Sequence, residues 1–171
     1  GSLKIWHARK SKLTRNHASA SSAAQPARSG SKRTLRTSVF FIKFLRFFYS
    51  NLSQHHIVSG QFKDIQPVLI KGKGKVTYGL NVKHGVPTSP QFYNTYTYIE
   101  ARTSHSEIIF GDHVSTNNNL SIVSEQKVVI GSHTLMGCNC SIIDSNFHDL
   151  HPQNRLQTDP NPKAVILGEN V

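Results

Sequence analysis

The sequence predicts an all-β fold, a parallel β-helix of short stacked strands, preceded by a short amphipathic helix and a basic leader. Three observations carry that prediction. Between Phe110 and His148 the chain repeats a six-residue unit: Phe110-Gly-Asp-His-Val-Ser, Thr116-Asn-Asn-Asn-Leu-Ser and Ile122-Val-Ser-Glu-Gln-Lys. After a two-residue slip at Val128-Val129 come Ile130-Gly-Ser-His-Thr-Leu, Met136-Gly-Cys-Asn-Cys-Ser and Ile142-Ile-Asp-Ser-Asn-Phe. Earlier, Ile70, Val76 and Val82 keep the same spacing, and Leu167-Gly-Glu-Asn-Val171 opens another unit. A period this short is neither the stripe of an α-helix nor the alternation of an ordinary strand. Stacking explains it: the opening residue points inward onto its equivalent one turn away, Gly permits the corner, and three strands close a triangular coil.

Taken in order, residues 1–37 read as a disordered basic leader. Ala18–Ala27 is small-residue low complexity flanked by Arg and Lys. Gly1-Ser2 resembles a protease scar, so a tag or linker is favoured over the rival, a transit peptide. Residues 38–63 read as an amphipathic helix and linker. Ser38–Leu52 is rich in Phe, too short to span a bilayer and interrupted by Lys43 and Arg46. It is expected to cap the open end of the coil or pack on a neighbouring subunit. The rival is an interfacial anchor, which would add a peripheral membrane contact. Residues 64–171 read as the coil domain. Gly85–Tyr98 interrupts the period with Pro87, Pro90 and four aromatics and predicts a loop, and Asp149–Lys163, with three prolines, predicts a second. Loops on a rigid scaffold carry recognition, so the second is expected to border a cleft.

The net charge of +11 is unevenly placed. Residues 1–63 hold 12 Lys or Arg and no acid, whereas residues 64–171 hold 8 basic and 9 acidic residues. The coil domain therefore lacks the basic stripe of a nucleic-acid reader, and no specific nucleic-acid partner is expected. Cys138 and Cys140 alternate on a strand, so they face opposite ways, Cys140 inward and Cys138 outward. Reduced structural thiols and the lack of a secretory signal predict a cytoplasmic protein.

The runs Ser115-Thr-Asn-Asn-Asn-Leu-Ser-Ile-Val, Val129-Ile-Gly-Ser-His-Thr-Leu-Met-Gly-Cys-Asn and Ile142-Ile-Asp-Ser-Asn-Phe-His-Asp-Leu-His-Pro-Gln-Asn-Arg155 resemble the hexapeptide-repeat O-acetyltransferases. The likeness is closest to the galactoside and maltose acetyltransferases and to the sugar O-acetyltransferases of bacterial polysaccharide pathways. It covers about Ile70 to Val171. The resemblance implies a left-handed coil, a homotrimer, acetyl-CoA as acyl donor and a sugar or polysaccharide hydroxyl as acceptor. Two departures stand out. Thr116 replaces the apolar opening residue, and the family's further coils, which help cradle coenzyme A, would follow Val171. Coenzyme-binding residues are accordingly expected mostly beyond Val171, and no metal is expected.

Acetylating a hydroxyl needs a base, because the hydroxyl does not ionise unaided near neutral pH. Histidine can take that proton as the oxygen attacks the thioester, then return it to the departing thiol. His148 matches the family's catalytic position and is the predicted general base, with a plain surface-turn histidine as the alternative; His151 is its local rival. Asn119 matches the family's cleft-facing asparagine, with a corner ladder involving Asn117 and Asn118 as the bland reading. Asp144, Asn146, His151 and Arg155 complete the predicted acceptor-binding set. By resemblance, His148 and Asn119 would meet across a subunit boundary. Two alternatives remain: a non-catalytic trimeric scaffold, and a zinc enzyme like the gamma-class carbonic anhydrases, raised by His113 and His133. The second lacks the family's close histidine pair five residues apart. Serine O-acetyltransferase is a same-chemistry rival, but its preceding helical domain is missing.

Overall fold

The computed structural model describes residues 31–171; the leader over residues 1–30 lies outside them. A single α-helix, α1 (Ser31–Leu52), opens the described chain, so the helix begins well before the expected Ser38. Thirteen short strands follow: β1 (Val58–Ser59), β2 (Phe62–Asp64), β3 (Val68–Gly72), β4 (Lys75–Tyr78), β5 (Val82–His84), β6 (Thr97–Ala101) and β7 (Glu107–Phe110), then β8 (Ser115–Thr116), β9 (Ser121–Ser124), β10 (Lys127–Ile130), β11 (Leu135–Met136), β12 (Ser141–Ile143) and β13 (Val165–Leu167). They form three parallel sheets, each taking every third strand: β1-β4-β7-β10-β13, β2-β5-β8-β11 and β3-β6-β9-β12. That order is the winding of a parallel β-helix, with each coil's backbone groups satisfied by the coils on either side.

Register explains the spacing seen in the sequence. Phe110 pairs with Ile130, Thr116 with Met136 and Ile122 with Ile142. Ile70, Val76, Val82, Phe110, Ile122 and Ile130 are almost fully buried, so the opening positions line the interior. The two extra residues sit elsewhere than expected. Strand β10 keeps unbroken register with β7 from Lys127 to Ile130, and the surplus is taken up in the corner at Glu125-Gln126. The fourth place of a unit turns the corner: His113, Asn119, His133 and Asn139 all have φ between 58° and 62°. Asn tolerates this left-handed conformation better than most residues, which suits it to two of the four positions.

Thr116 is not a gap in the apolar pattern. Its hydroxyl lies 2.8 Å from Nδ1 of His84, which is wholly buried inside the coil. Burial pushes the His84 imidazole down to about 3, so it stays neutral, and it packs edge-on against Tyr78 and Phe110. Tyr78 stacks on Phe110 at 4.8 Å, giving the interior an aromatic column.

Helix α1 lies on β3, the edge strand of its sheet, with Ile42 buried. Tyr49 stacks on Tyr96 at 4.6 Å, and Arg46 pairs with Asp64 at 3.3 Å. Ser53 and Gln54, just after the helix, bond the free edge of β3: Ile70 N–H donates to Ser53 Oγ, Gly72 N–H to Gln54 Oε1, and Gln54 N–H to Ile70 O. Covering an otherwise open strand edge is what a terminal cap must do. Among the described residues, no helix is long and apolar enough to cross a membrane.

The first excursion ends sooner than predicted. Tyr98 belongs to β6, because Thr97, Ile99 and Ala101 alternate inward and the strand pairs β3 on one side and β9 on the other.

Candidate active site

Two loops leave the coil, from different corners. Loop 1, residues 85–96, joins β5 to β6; loop 2, residues 144–164, joins β12 to β13. Asn119 turns between β8 and β9, at the corner from which loop 1 springs, whereas His148 lies in loop 2. Within one chain the two predicted partners therefore occupy different edges of the coil.

Loop 2 has a neck made of carboxylates and hydroxyls. Asp144, buried, accepts from Ser124 Oγ and from the backbone N–H groups of Glu125, Gln126 and Lys127, all within 2.9 Å. Its oxygens are thus committed to the corner that absorbs the two surplus residues. Ser145 donates to Glu125, whose other oxygen accepts from Thr158 Oγ1 at 3.0 Å. Asp159 accepts from Asn146 N–H at 2.8 Å and from Asn161 N–H at 2.9 Å. Those backbone bonds hold the Asp159 carboxyl below the usual aspartate range. The two ends of loop 2 are thereby tied together.

Beyond the neck the loop opens. Phe147 takes φ of 62°, and Arg102 places its guanidinium 4.4 Å from the centre of the Phe147 ring. Arg102 also forms a two-point pair with Glu100 at 3.1 Å. Burial opposes ionisation of Glu100, but hydrogen bonds from Arg102 and Tyr98 outweigh it and keep the carboxyl below its ordinary range. Burial and the same hydrogen bond push the Tyr98 phenol up to about 12. His148 follows directly, exposed, and no group among the described residues bonds its ring. His151 instead accepts from Gln153 N–H as the cap of a short turn at Pro152–Asn154. Arg155 is exposed on the same loop. A cleft of about 600 Å³ opens beside the neck, lined by Asp144, Asn146, Asp149, Asp159, Lys163 and neighbouring apolar groups. Of the predicted set, Asp144 and Asn146 line it; His148, His151, Arg155 and Asn119 do not.

Asn119 is half-buried and donates from its amide to Asn139 Oδ1 at 2.9 Å, one coil on. The ladder therefore forms with Asn139 rather than with Asn117 or Asn118. The buried member of the triplet is Asn118. Its Nδ2 donates to the carbonyls of Val86, Ser89 and Pro90, and its Oδ1 accepts from Val86 N–H. Gln66, also buried, donates to the carbonyls of Gln91 and Thr95. Together these two amides pin loop 1. Cys138 is half-buried, with its thiol 3.6 Å from the Pro90 carbonyl, rather than facing out alone; Cys140 packs on the core, and both are free thiols.

Sequence reasoning missed Arg102, Glu125 and Asp159. Each reaches loop 2 from a place that no short motif joins to His148. The one signal was register: Ala101 pairs with Ser124 and Val123 with Ile143, so Arg102, Glu125 and Ser145 occupy one corner in successive coils. His113 and His133 stack at 5.0 Å on the surface, as their spacing suggested. Among the described residues, no three His, Cys, Asp or Glu side chains converge as zinc coordination would require. Comparison with known proteins gave no match: no family model, no curated protein and no solved structure.

Proposed function

We propose that this chain is an acetyl-CoA-dependent O-acetyltransferase of the left-handed hexapeptide-repeat class, acting as a homotrimer on a sugar or polysaccharide hydroxyl. The observation that carries the reading is His148: an exposed, unbonded imidazole, itself outside the cleft lining, on a loop whose neck residues line that cleft. His148 takes the acceptor hydroxyl proton as that oxygen attacks the thioester carbonyl. The tetrahedral intermediate then collapses, the carbon–sulfur bond breaks, and the imidazolium returns its proton to the departing thiolate. No acyl-enzyme forms. Asn146, Lys163 and Asp149 on the cleft wall suit the hydroxyl groups of a saccharide, with His151 and Arg155 on the outer part of the loop.

The separation of Asn119 and His148 on different corners supports an active site shared between subunits, since a second copy can bring the one corner to the other. The free thiols of Cys138 and Cys140 are in keeping with a cytoplasmic location. Commitment of Asp144 and Asn119 to corner bonds favours the alternative, a non-catalytic trimeric scaffold. One assay separates the two. The full chain is mixed with acetyl-CoA and a panel of saccharides, and release of free thiol is followed for wild type and His148→Ala. Acceptor-dependent release that disappears in the variant supports transfer; equal release in both, or none with any saccharide, sinks it.

A further inference from the structure

The coil-facing side of α1 is accounted for by Ile42 and Tyr49, but its other side is not. Phe40, Phe41, Phe44, Phe47 and Phe48 are all exposed, Phe40 at 74% and Phe47 at 69%. At about 100° per residue these five rings cover one continuous stripe, roughly opposite Ile42, with Lys43 at its border. An apolar stripe of this size on a folded surface marks an interaction site. The helix is also held firmly. The Tyr49–Tyr96 stack, the Arg46–Asp64 pair and a bond from Lys71 Nζ to the Leu52 carbonyl fix it on the coil with the rings outward.

Charge decides what covers the stripe. Helix α1 itself carries five Lys or Arg and no acid. Two such segments brought face to face would repel, which disfavours a second copy of this chain as the occupant. An anionic lipid surface offers both what the rings need and what the cations need: an acyl boundary beneath a layer of negative headgroups. We infer that α1 is an interfacial anchor that lies flat on an anionic bilayer, phenyl rings in the acyl boundary and the basic residues at the headgroups. It holds the coil, and loop 2 with it, at the membrane surface without crossing it. This is independent of the transferase reading, because neither His148 nor the cleft takes part.

The test is flotation of the full chain with vesicles of phosphatidylcholine alone and of phosphatidylcholine mixed with phosphatidylglycerol. Wild type is expected to float with the mixed vesicles and far less with the neutral ones. Phe40→Ser/Phe44→Ser/Phe47→Ser should partition about a hundredfold more weakly or worse, since each ring removed gives up the burial of a large apolar group. These rings are exposed, so circular dichroism of the variant should match wild type. Three results would overturn the inference: no flotation of wild type, equal flotation of the triple variant, or a lower oligomeric state of that variant without lipid. The last would assign the stripe to a second copy instead.

Discussion

Loop 1 and loop 2 leave the same coil and are closed by opposite means. Loop 1 is held along its length by buried amides: Asn118 grips Val86, Ser89 and Pro90, and Gln66 grips Gln91 and Thr95. Loop 2 is tied at its neck, through Ser145, Glu125, Thr158 and Asp159, and just beyond it by the Asp149 N–H to Gln157 O bond and the Arg102–Phe147 contact, while its outer part stands in solvent, with Leu156 fully exposed. A pinned loop spends its polar atoms on itself and stabilises the fold. A loop tied at the neck keeps its tip free to meet a substrate while the neck fixes where that tip stands. This is the arrangement expected when a rigid scaffold presents a reactive group.

Paired substitutions should pull the two loops apart. The largest effect is expected from His148→Ala: transfer falls by about 10²–10⁴-fold, the range that a general base contributes, with an unchanged melting temperature. Loss of stability along with activity would show that the imidazole also holds the loop. Asn118→Ala should do the reverse. It strips partners from a set of buried backbone groups, at a cost of about 2–3 kcal/mol, read as a lower urea midpoint and earlier proteolytic nicking in loop 1.

Acid should separate the regions next. His84, immediately before loop 1, is buried neutral with its pKa lowered to about 3. The unfolded chain binds a proton there below about pH 6.5, while the folded chain does not. Stability present above that pH is therefore lost as pH falls toward 3, by up to about tenfold in the unfolding equilibrium per pH unit. His84→Leu should flatten that slope in urea titrations. The neck of loop 2 behaves differently, because the Asp159 carboxyl is held below its ordinary range. Its contribution persists above the ordinary aspartate pKa and disappears only as pH falls through the lowered folded value. The hydrogen-exchange protection factor of the Asn146 N–H should hold at pH 5 and fall only in stronger acid.

The smallest effect is expected from Arg102→Ala. It removes the guanidinium from the Phe147 ring, an interaction of about 0.5–1 kcal/mol, together with the half-exposed pair to Glu100, and should lower kcat/KM a few-fold. Arg102→Lys should recover part of it. A purely structural role would instead move the melting temperature and leave the kinetics alone.

Whatever repeats locally was legible in the order of residues. Opening residues at six-residue spacing became register partners lining the interior, because each unit has the same backbone path and its inward position is set by its own corner. The order of residues likewise marked a proline-broken excursion at Asp149–Lys163, directly after His148, although the loop leaves the coil five residues earlier, at Asp144, and carries His148 with it. Which polar groups already have partners depends on the folded arrangement of the coils. Asn118 rather than Asn119 is the buried anchor because loop 1, some 30 residues earlier, supplies its carbonyls. Asp144 belongs to a corner because three N–H groups of the preceding coil converge on it. The interior role of Thr116 depends on a histidine one coil away. Hydrogen bonds between coils join residues that no short motif connects, so their choice of partner is fixed by stacking and not by spacing.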